Sequence, residues 1–339
     1  MANQLSLGLI GAGRIGRVHA ESISRISHAH IVGVADVFLE NAEKCAADFG
    51  IPAAHQDPRA LLDDPTIDAI VVCSSTDTHT RFIIEAAEAG KHIFCEKPIA
   101  LNLADIDRAL ATVERCGVKL QIGFNRRFDS NFRHIHEAVK RGDIGDPHLI
   151  RITSRDPAPP PLSYVKVSGG LFLDMMIHDF DMVRYLVGAE VEELYAMGAV
   201  LIDPTIGEAG DIDTAVVSLK FANGAMGFIE NSRQARYGYD QRAEVFGSKG
   251  AIESSNKTAH NTRWSTANGV MEPNPLYFFL ERYLDSYTAE MRAFIDAIQQ
   301  NVPTAVTGRD GRIPVVMGLA AGLSLRERRP VCLAEIAAA

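Results

Sequence analysis

A chain of 339 residues with 47% hydrophobic residues and a mean hydropathy of +0.00 is long enough for two domains, each burying its own core. The formal net charge of −9 offers no basic footprint for nucleic acid, and no apolar run approaches the length of a membrane span. The five cysteines, Cys45, Cys73, Cys95, Cys116 and Cys332, are scattered without CxxC spacing. They read as reduced thiols of a cytoplasmic protein, and no metal site is expected. No basic region, apolar segment and cleavage site stand in series at the start of the chain, so no export signal is expected.

Leu5 to Ile10 is an apolar run with strand character, followed at once by Gly11-Ala-Gly13-Arg14-Ile15-Gly16 and a helical pattern through Ile23. This is the dinucleotide fingerprint in its required context. Gly11 permits the tight turn, Gly13 lets backbone approach a pyrophosphate, and Gly16 lets helix and strand pack closely. The amides of the helix start, with Arg14 and Ile15 beside them, face the phosphates. A second apolar run, Ile31 to Ala35, ends in Asp36, twenty residues beyond Gly16, where an acid would bind both adenosine ribose hydroxyls. Val37 follows it, with no cation to receive a 2′-phosphate, so the cofactor expected is NAD.

Helix and strand patterns then alternate. Asn41 to Phe49 is helical, Ile67 to Cys73 a buried strand, and Thr80 to Ala89 a helix closed by Gly90. His92 to Cys95 is a strand, Leu103 to Cys116 a helix, and Val118 to Ile122 the last strand. The alternation predicts a Rossmann-type α/β domain, a doubly wound parallel sheet spanning residues 1–123. Ligands of such sheets bind beyond the carboxyl ends of the strands. Ser74, Ser75, Thr76 and His79 follow one end, Glu96-Lys97-Pro98 another, and Gly123-Phe-Asn125-Arg-Arg127 a third. Taken alone, Lys97 reads slightly better as a solvated surface lysine than as a group that sets a hydroxyl's ionisation.

After about Gly123 the rhythm changes. Phe132 to Lys140 is a helix, His148 to Ser154 a strand, and DPAPPP from Asp156 to Pro161 a rigid loop. Gly169 to Leu186, GGLFLDMMIHDFDMVRYL, carries three acids and a histidine within an apolar pattern that predicts a helix from about Phe172. Asp174 and His178 are four apart and Asp181 three further, on roughly one face. A carboxylate beside a histidine builds a proton acceptor near neutral pH; a half-exposed helix with a salt bridge is an equal reading of this stretch alone. Strand candidates follow at Leu194 to Leu201, Asp213 to Phe221, Ala225 to Asn231, Gln241 to Phe246 and Ala251 to Ser255. Asn223-Gly224 marks a hairpin between two of them. Tyr277 to Gln300 and Val315 to Arg326 return to helix. Residues 124–339 therefore form an α+β domain on a large, mostly antiparallel sheet, expected to bind the substrate, with a tail free to pack back on the first domain.

GLIGAGRIG, CEKP and GGLFLDMMIHDFDMVRYL resemble, in order and spacing, the two-domain dehydrogenases typified by glucose–fructose oxidoreductase and inositol dehydrogenase. The resemblance covers nearly the whole chain. GFNRRFD, TSRDPAPPP and DMMIHDFDM are most similar to the NAD-dependent inositol dehydrogenase branch. It implies a catalytic triad at Lys97, Asp174 and His178, polyol contacts at Arg127, Asp156, Asp181 and Tyr237, and a homotetramer packed through the second-domain sheets. The expected activity is oxidation of myo-inositol at carbon 2. The alternatives are the same chemistry on another inositol isomer or an aldose, and a dinucleotide-binding regulator that has lost the chemistry.

Overall fold

The structure, a computed structural model, describes residues 4–337; residues 1–3 and 338–339, the ends of the two expected domain spans, lie outside that range. Six short apolar segments form β1 (Leu5–Ile10), β2 (Ala29–Ala35), β3 (Ala53–His55), β4 (Ala69–Val72), β5 (His92–Glu96) and β6 (Leu120–Gly123). They alternate with α1 (Arg14–Ser24), α2 (Leu39–Phe49), α3 (Arg59–Leu62), α4 (Thr76–Glu88) and α5 (Leu103–Cys116). β4, AIVV, is buried on both faces, as a strand covered by helices on each side must be. Every pair is parallel, in the order β3-β2-β1-β4-β5-β6. The order reverses between β1 and β4, so the crevice beyond their carboxyl ends is the ligand position of a doubly wound sheet. Helix ends obey local chemistry: the Asn102 side chain caps α5 by accepting from the Asp105 amide, and Gly117 closes it with φ 66°.

The chain continues through α6 (Ser130–Arg141), β7 (Pro147–Arg155), α7 (Leu162–Val165), α8 (Gly170–Asp174), α9 (Ile177–Val187), β8 (Val191–Ala199) and α10 (Pro204–Glu208). Then come β9 (Thr214–Phe221), β10 (Met226–Ser232), β11 (Asp240–Gly247), β12 (Gly250–Ser254), β13 (Trp264–Thr266) and β14 (Gly269–Met271). The chain ends in α11 (Phe279–Gln299), α12 (Gly308–Glu327), β15 (Val331–Cys332) and α13 (Leu333–Ala337). Seven strands form one sheet, β12-β11-β7-β10-β9-β8-β15, antiparallel except for the pair β10 and β7. The Asn223-Gly224 hairpin forms as expected: Gly224 sits at φ 88° and donates to the Phe221 carbonyl at 3.0 Å.

The expected helix from Phe172 is two helices, α8 and α9, with a turn at Met175-Met176. The strands β3, β13, β14 and β15 are too short to leave a periodic signal. α12 starts at Gly308, with Pro314 inside it. Gly311 there lies against Ile99 and Ile122 closely enough that a Cβ would meet both side chains, a tertiary constraint no helix-period count contains.

The chain falls into two compact units. One ends at Phe128 and takes in Leu284–Val315; the other is Asp129–Tyr283 with the segment from Val316 on. The change of rhythm near Gly123 thus lies just before the first break. Met291, Phe294 and Ile295 of α11 share a core with Leu7, Leu9, Val71 and Phe94 of the parallel sheet.

Candidate active site

In the first unit the glycine turn is built as a dinucleotide needs it. Gly11 has φ 97°, and a Cβ there would sit 2.5 Å from the Cys73 carbonyl, so the end of β4 backs directly onto the turn. A Cβ on Gly16 would collide with the Gly11 carbonyl oxygen. A Cβ on Gly13 would meet nothing within 4 Å, which leaves open space where a pyrophosphate must approach. Arg14 is exposed and Ile15 half-buried at the start of α1. Asp36 accepts from the Ala12 amide at 2.8 Å and the Phe38 amide at 2.9 Å, tying the end of β2 to the turn. Val37 beside it is 70% exposed. Asn125, in a 3-10 turn after β6, is 3% exposed, and its Nδ2 has no hydrogen-bond partner among the described residues. An open glycine face, an acid at the end of β2 and a buried unspent amide together fit NAD.

Ser74 and Ser75 lead into α4, which Thr76 begins. Ser74 and Thr78 share a hydrogen bond at 2.6 Å. His79, expected to touch the cofactor, lies in α4 behind this loop. It is 2% exposed, with Nδ1 2.8 Å from the Pro98 carbonyl and Nε2 3.0 Å from the Ser74 carbonyl. Burial pushes its pKa below the ordinary histidine value, against the pull of the two carbonyls. Glu96 also faces inward: Oε1 is 2.6 Å from His19 Nε2, and Oε2 accepts from the Lys97 amide at 3.3 Å. His19, Glu96 and Glu290 form a buried cluster, but 2.6 Å between two of its atoms is a shared proton rather than two ligands of one metal ion. Lys97 is half-buried and leads into Pro98. Arg127 donates to Asp310 at 3.0 Å, an ion pair within this unit.

In the second unit Gly169, the N-cap of α8, and Gly170, its first residue, both have positive φ, 87° and 78°. A Cβ on Gly170 would lie 2.7 Å from Asp211 Oδ1, which also accepts from the Leu171 amide at 3.0 Å. This fixes the start of α8, and Asp174 ends it. Asp174 Oδ1 accepts from the Tyr164 hydroxyl at 2.8 Å; Oδ2 accepts from Arg233 Nη1 at 3.3 Å. Arg233 is 1% exposed and lies 3.6 Å from Asp211 as well. His178 follows four residues on in α9, half-buried.

Three of the expected polyol contacts lie in this unit. Asp181 is fully buried, 4.0 Å from Arg184. The Asp156 backbone pairs with Ser232 and Ala235, anchoring the proline loop. Tyr237 donates to Asp240 at 2.6 Å and accepts from Arg155 at 2.7 Å, so its hydroxyl is engaged within the sheet. Sequence reasoning missed Tyr164, Asp211 and Arg233, whose connection to Asp174 exists only in the fold. His19 left a faint trace as a polar residue on the apolar face of α1.

An all-parallel 3-2-1-4-5-6 sheet with this glycine turn defines an NAD-binding Rossmann domain. Residues 5–124 match the oxidoreductase family with NAD-binding Rossmann fold, and residues 132–253 match the GFO/IDH/MocA C-terminal domain. The chain belongs to the GFO/IDH/MocA family of oxidoreductases. It is similar to a myo-inositol 2-dehydrogenase of Thermotoga maritima, 52% identical over 98% of this chain and 99% of that one. A solved putative myo-inositol dehydrogenase from Sinorhizobium meliloti superposes with a TM-score of 0.95, at 44% identity over 97% of this chain and all of that one. A scyllo-inositol dehydrogenase from Lactobacillus casei, solved with NAD(H) and scyllo-inositol, superposes with a TM-score of 0.91, at 30% identity over 98% and 100%.

Proposed function

We propose that this protein is an inositol 2-dehydrogenase that oxidises myo-inositol to 2-keto-myo-inositol with NAD. The observation that supports the substrate is the 52% identity, over essentially the full length of both chains, to a myo-inositol 2-dehydrogenase. The chemistry rests on Asp174, held at both oxygens by Tyr164 and Arg233 one turn before His178.

NAD, when bound, takes the hydride from the alcohol carbon. The chain's own residues hold the substrate and move its proton. His178 accepts the hydroxyl proton as general base. Asp174 orients the imidazole and stabilises its charged form; its own clamp keeps it from swinging away. Lys97 hydrogen-bonds the reacting oxygen and favours the alkoxide as it forms. Asp156, Asp181, Arg127 and Tyr237 stay in this proposal as candidates for reading the remaining hydroxyls. Tyr164, half-exposed and already on Asp174, joins them.

The same reading includes a homotetramer. On the outer face of the seven-stranded sheet, Phe246, Leu149 and Met226 stand side by side on β11, β7 and β10, 45%, 47% and 57% exposed. Such an exposed apolar row supports an assembly surface there. A cytoplasmic location belongs to the same proposal and is supported by the five free cysteines.

The test is NADH formation with purified protein across myo-inositol, scyllo-inositol, other inositol isomers and aldoses. Highest kcat/KM with myo-inositol and NAD is expected. A clear preference for scyllo-inositol or an aldose would replace the substrate, and no reduction with any polyol would favour a regulator.

A further inference from the structure

His19 stands on the apolar face of α1 and is fully buried. Its ring meets Phe94 of β5 edge-on at 4.9 Å and Tyr287 of α11 at 5.6 Å, so packing from two other elements fixes its place. Nε2 lies 2.6 Å from Glu96 Oε1, while Nδ1 has no hydrogen-bond partner among the described residues. A neutral imidazole has one N–H, and this arrangement gives it to the Glu96 carboxyl alone. The other carboxyl oxygen, Oε2, accepts from the Lys97 amide at 3.3 Å. Gly123 lies opposite Glu96 in the parallel register of β5 and β6. A Cβ on Gly123 would sit 3.0 Å from the carboxyl carbon, so the missing side chain leaves the carboxyl its seat.

We propose that His19 is a positioning residue for the lysine turn: it holds the Glu96 carboxyl against Gly123, and that carboxyl in turn holds the backbone of Lys97. The inference rests on the reading of Lys97 as catalytic. It makes one ring N–H the first link of the tether, and that link is separable from packing. A glutamine amide reaches about as far as Nε2 and keeps a donor for Glu96. A phenylalanine ring fills the space between Phe94 and Tyr287 and has no donor.

His19→Phe, His19→Gln, Gly123→Ala, the double variant of His19→Phe with Gly123→Ala, and Lys97→Ala are compared with the unmodified protein by steady-state kinetics with varied NAD, and by thermal melting. One hydrogen bond of about 1.4 kcal/mol corresponds to about tenfold. His19→Phe is expected to lower turnover about tenfold with the KM for NAD within about twofold, and His19→Gln to keep turnover within about threefold. Gly123→Ala pushes the carboxyl from its seat and is expected to lower turnover about threefold. The double variant is expected to be no slower than His19→Phe, since both changes act through one carboxyl. Equal losses in His19→Phe and His19→Gln, a KM for NAD that rises as turnover falls, melting losses without kinetic change, or multiplied losses in the double variant overturn the tether and leave His19 a packing residue. Where His19→Phe is too unstable to assay, Gly123→Ala decides: lowered turnover at an unchanged KM for NAD supports the tether, and unchanged turnover overturns it. Lys97→Ala is expected to lose turnover heavily. If it does and His19→Phe does not, the tether alone fails; if Lys97→Ala keeps full turnover, the catalytic reading of Lys97 fails and takes the proposal with it.

Discussion

Arg233 Nη1 and Asp174 Oδ2 meet at 3.3 Å, the arginine buried at the end of β10 and the aspartate at the end of α8. The same guanidinium faces Asp211, so one cation serves two acids that the glycine-led start of α8 brings together. Removing one partner of a buried ion pair strands the others. Arg233→Met is therefore expected to lower unfolding free energy by about 3–5 kcal/mol and to cut turnover as Asp174 loses its anchor. Denaturant unfolding and kinetics measure the two effects; unchanged stability would show that the acids find another counter-charge.

His178→Ala should lose roughly 10²–10⁴ in turnover, the usual contribution of a positioned acid–base group. NAD binding, followed by fluorescence titration or calorimetry, should be retained, because the nucleotide cradle lies in the other unit. Near wild-type turnover would remove His178 from the mechanism.

NAD should be preferred over NADP by at least about tenfold in kcat/KM. Two unit charges about 4 Å apart at an effective dielectric of about 20 repel by roughly 4 kcal/mol, a ceiling that solvent and salt reduce. Asp36 is fixed against the Ala12 and Phe38 amides and cannot turn away, and the exposed Val37 supplies no compensating charge. Asp36→Ala should narrow the gap by weakening NAD and relieving NADP. Equal efficiency with both cofactors in the unmodified enzyme would sink this role for Asp36.

Asp129 caps α6 and pairs with the buried Arg282. Burial alone would raise its pKa, but Arg282 and Lys257 outweigh burial and hold the carboxyl below the usual aspartate value. A depressed folded pKa means stability that is complete above the unfolded value of about 3.9 and lost as pH falls through the folded one. The melting temperature should drop on the acid side of about pH 4, and Asp129→Asn should start lower at neutral pH and fall less steeply there. Parallel acid limbs for the two proteins would assign the drop to other carboxylates.

Much of the first unit was legible because its signals are local. The Gly11, Gly13 and Gly16 spacing, the Asp36 offset and the strand–helix alternation are each set by a few consecutive residues, and backbone sterics and periodicity translate them directly into a doubly wound sheet. The Asn223-Gly224 hairpin was readable for the same reason. What only the tertiary structure decided is where polar side chains spend their hydrogen bonds. His79 and Tyr237 look available in the sequence, yet His79 faces two carbonyls and Tyr237 joins Arg155 to Asp240. Arg233 and Asp211 carry no pattern at all and become the support of Asp174 through contacts between segments about 40 to 60 residues apart. Local sequence sets backbone conformation; a buried polar group must be satisfied by whatever the fold brings beside it, and that neighbour is fixed by packing of the whole unit.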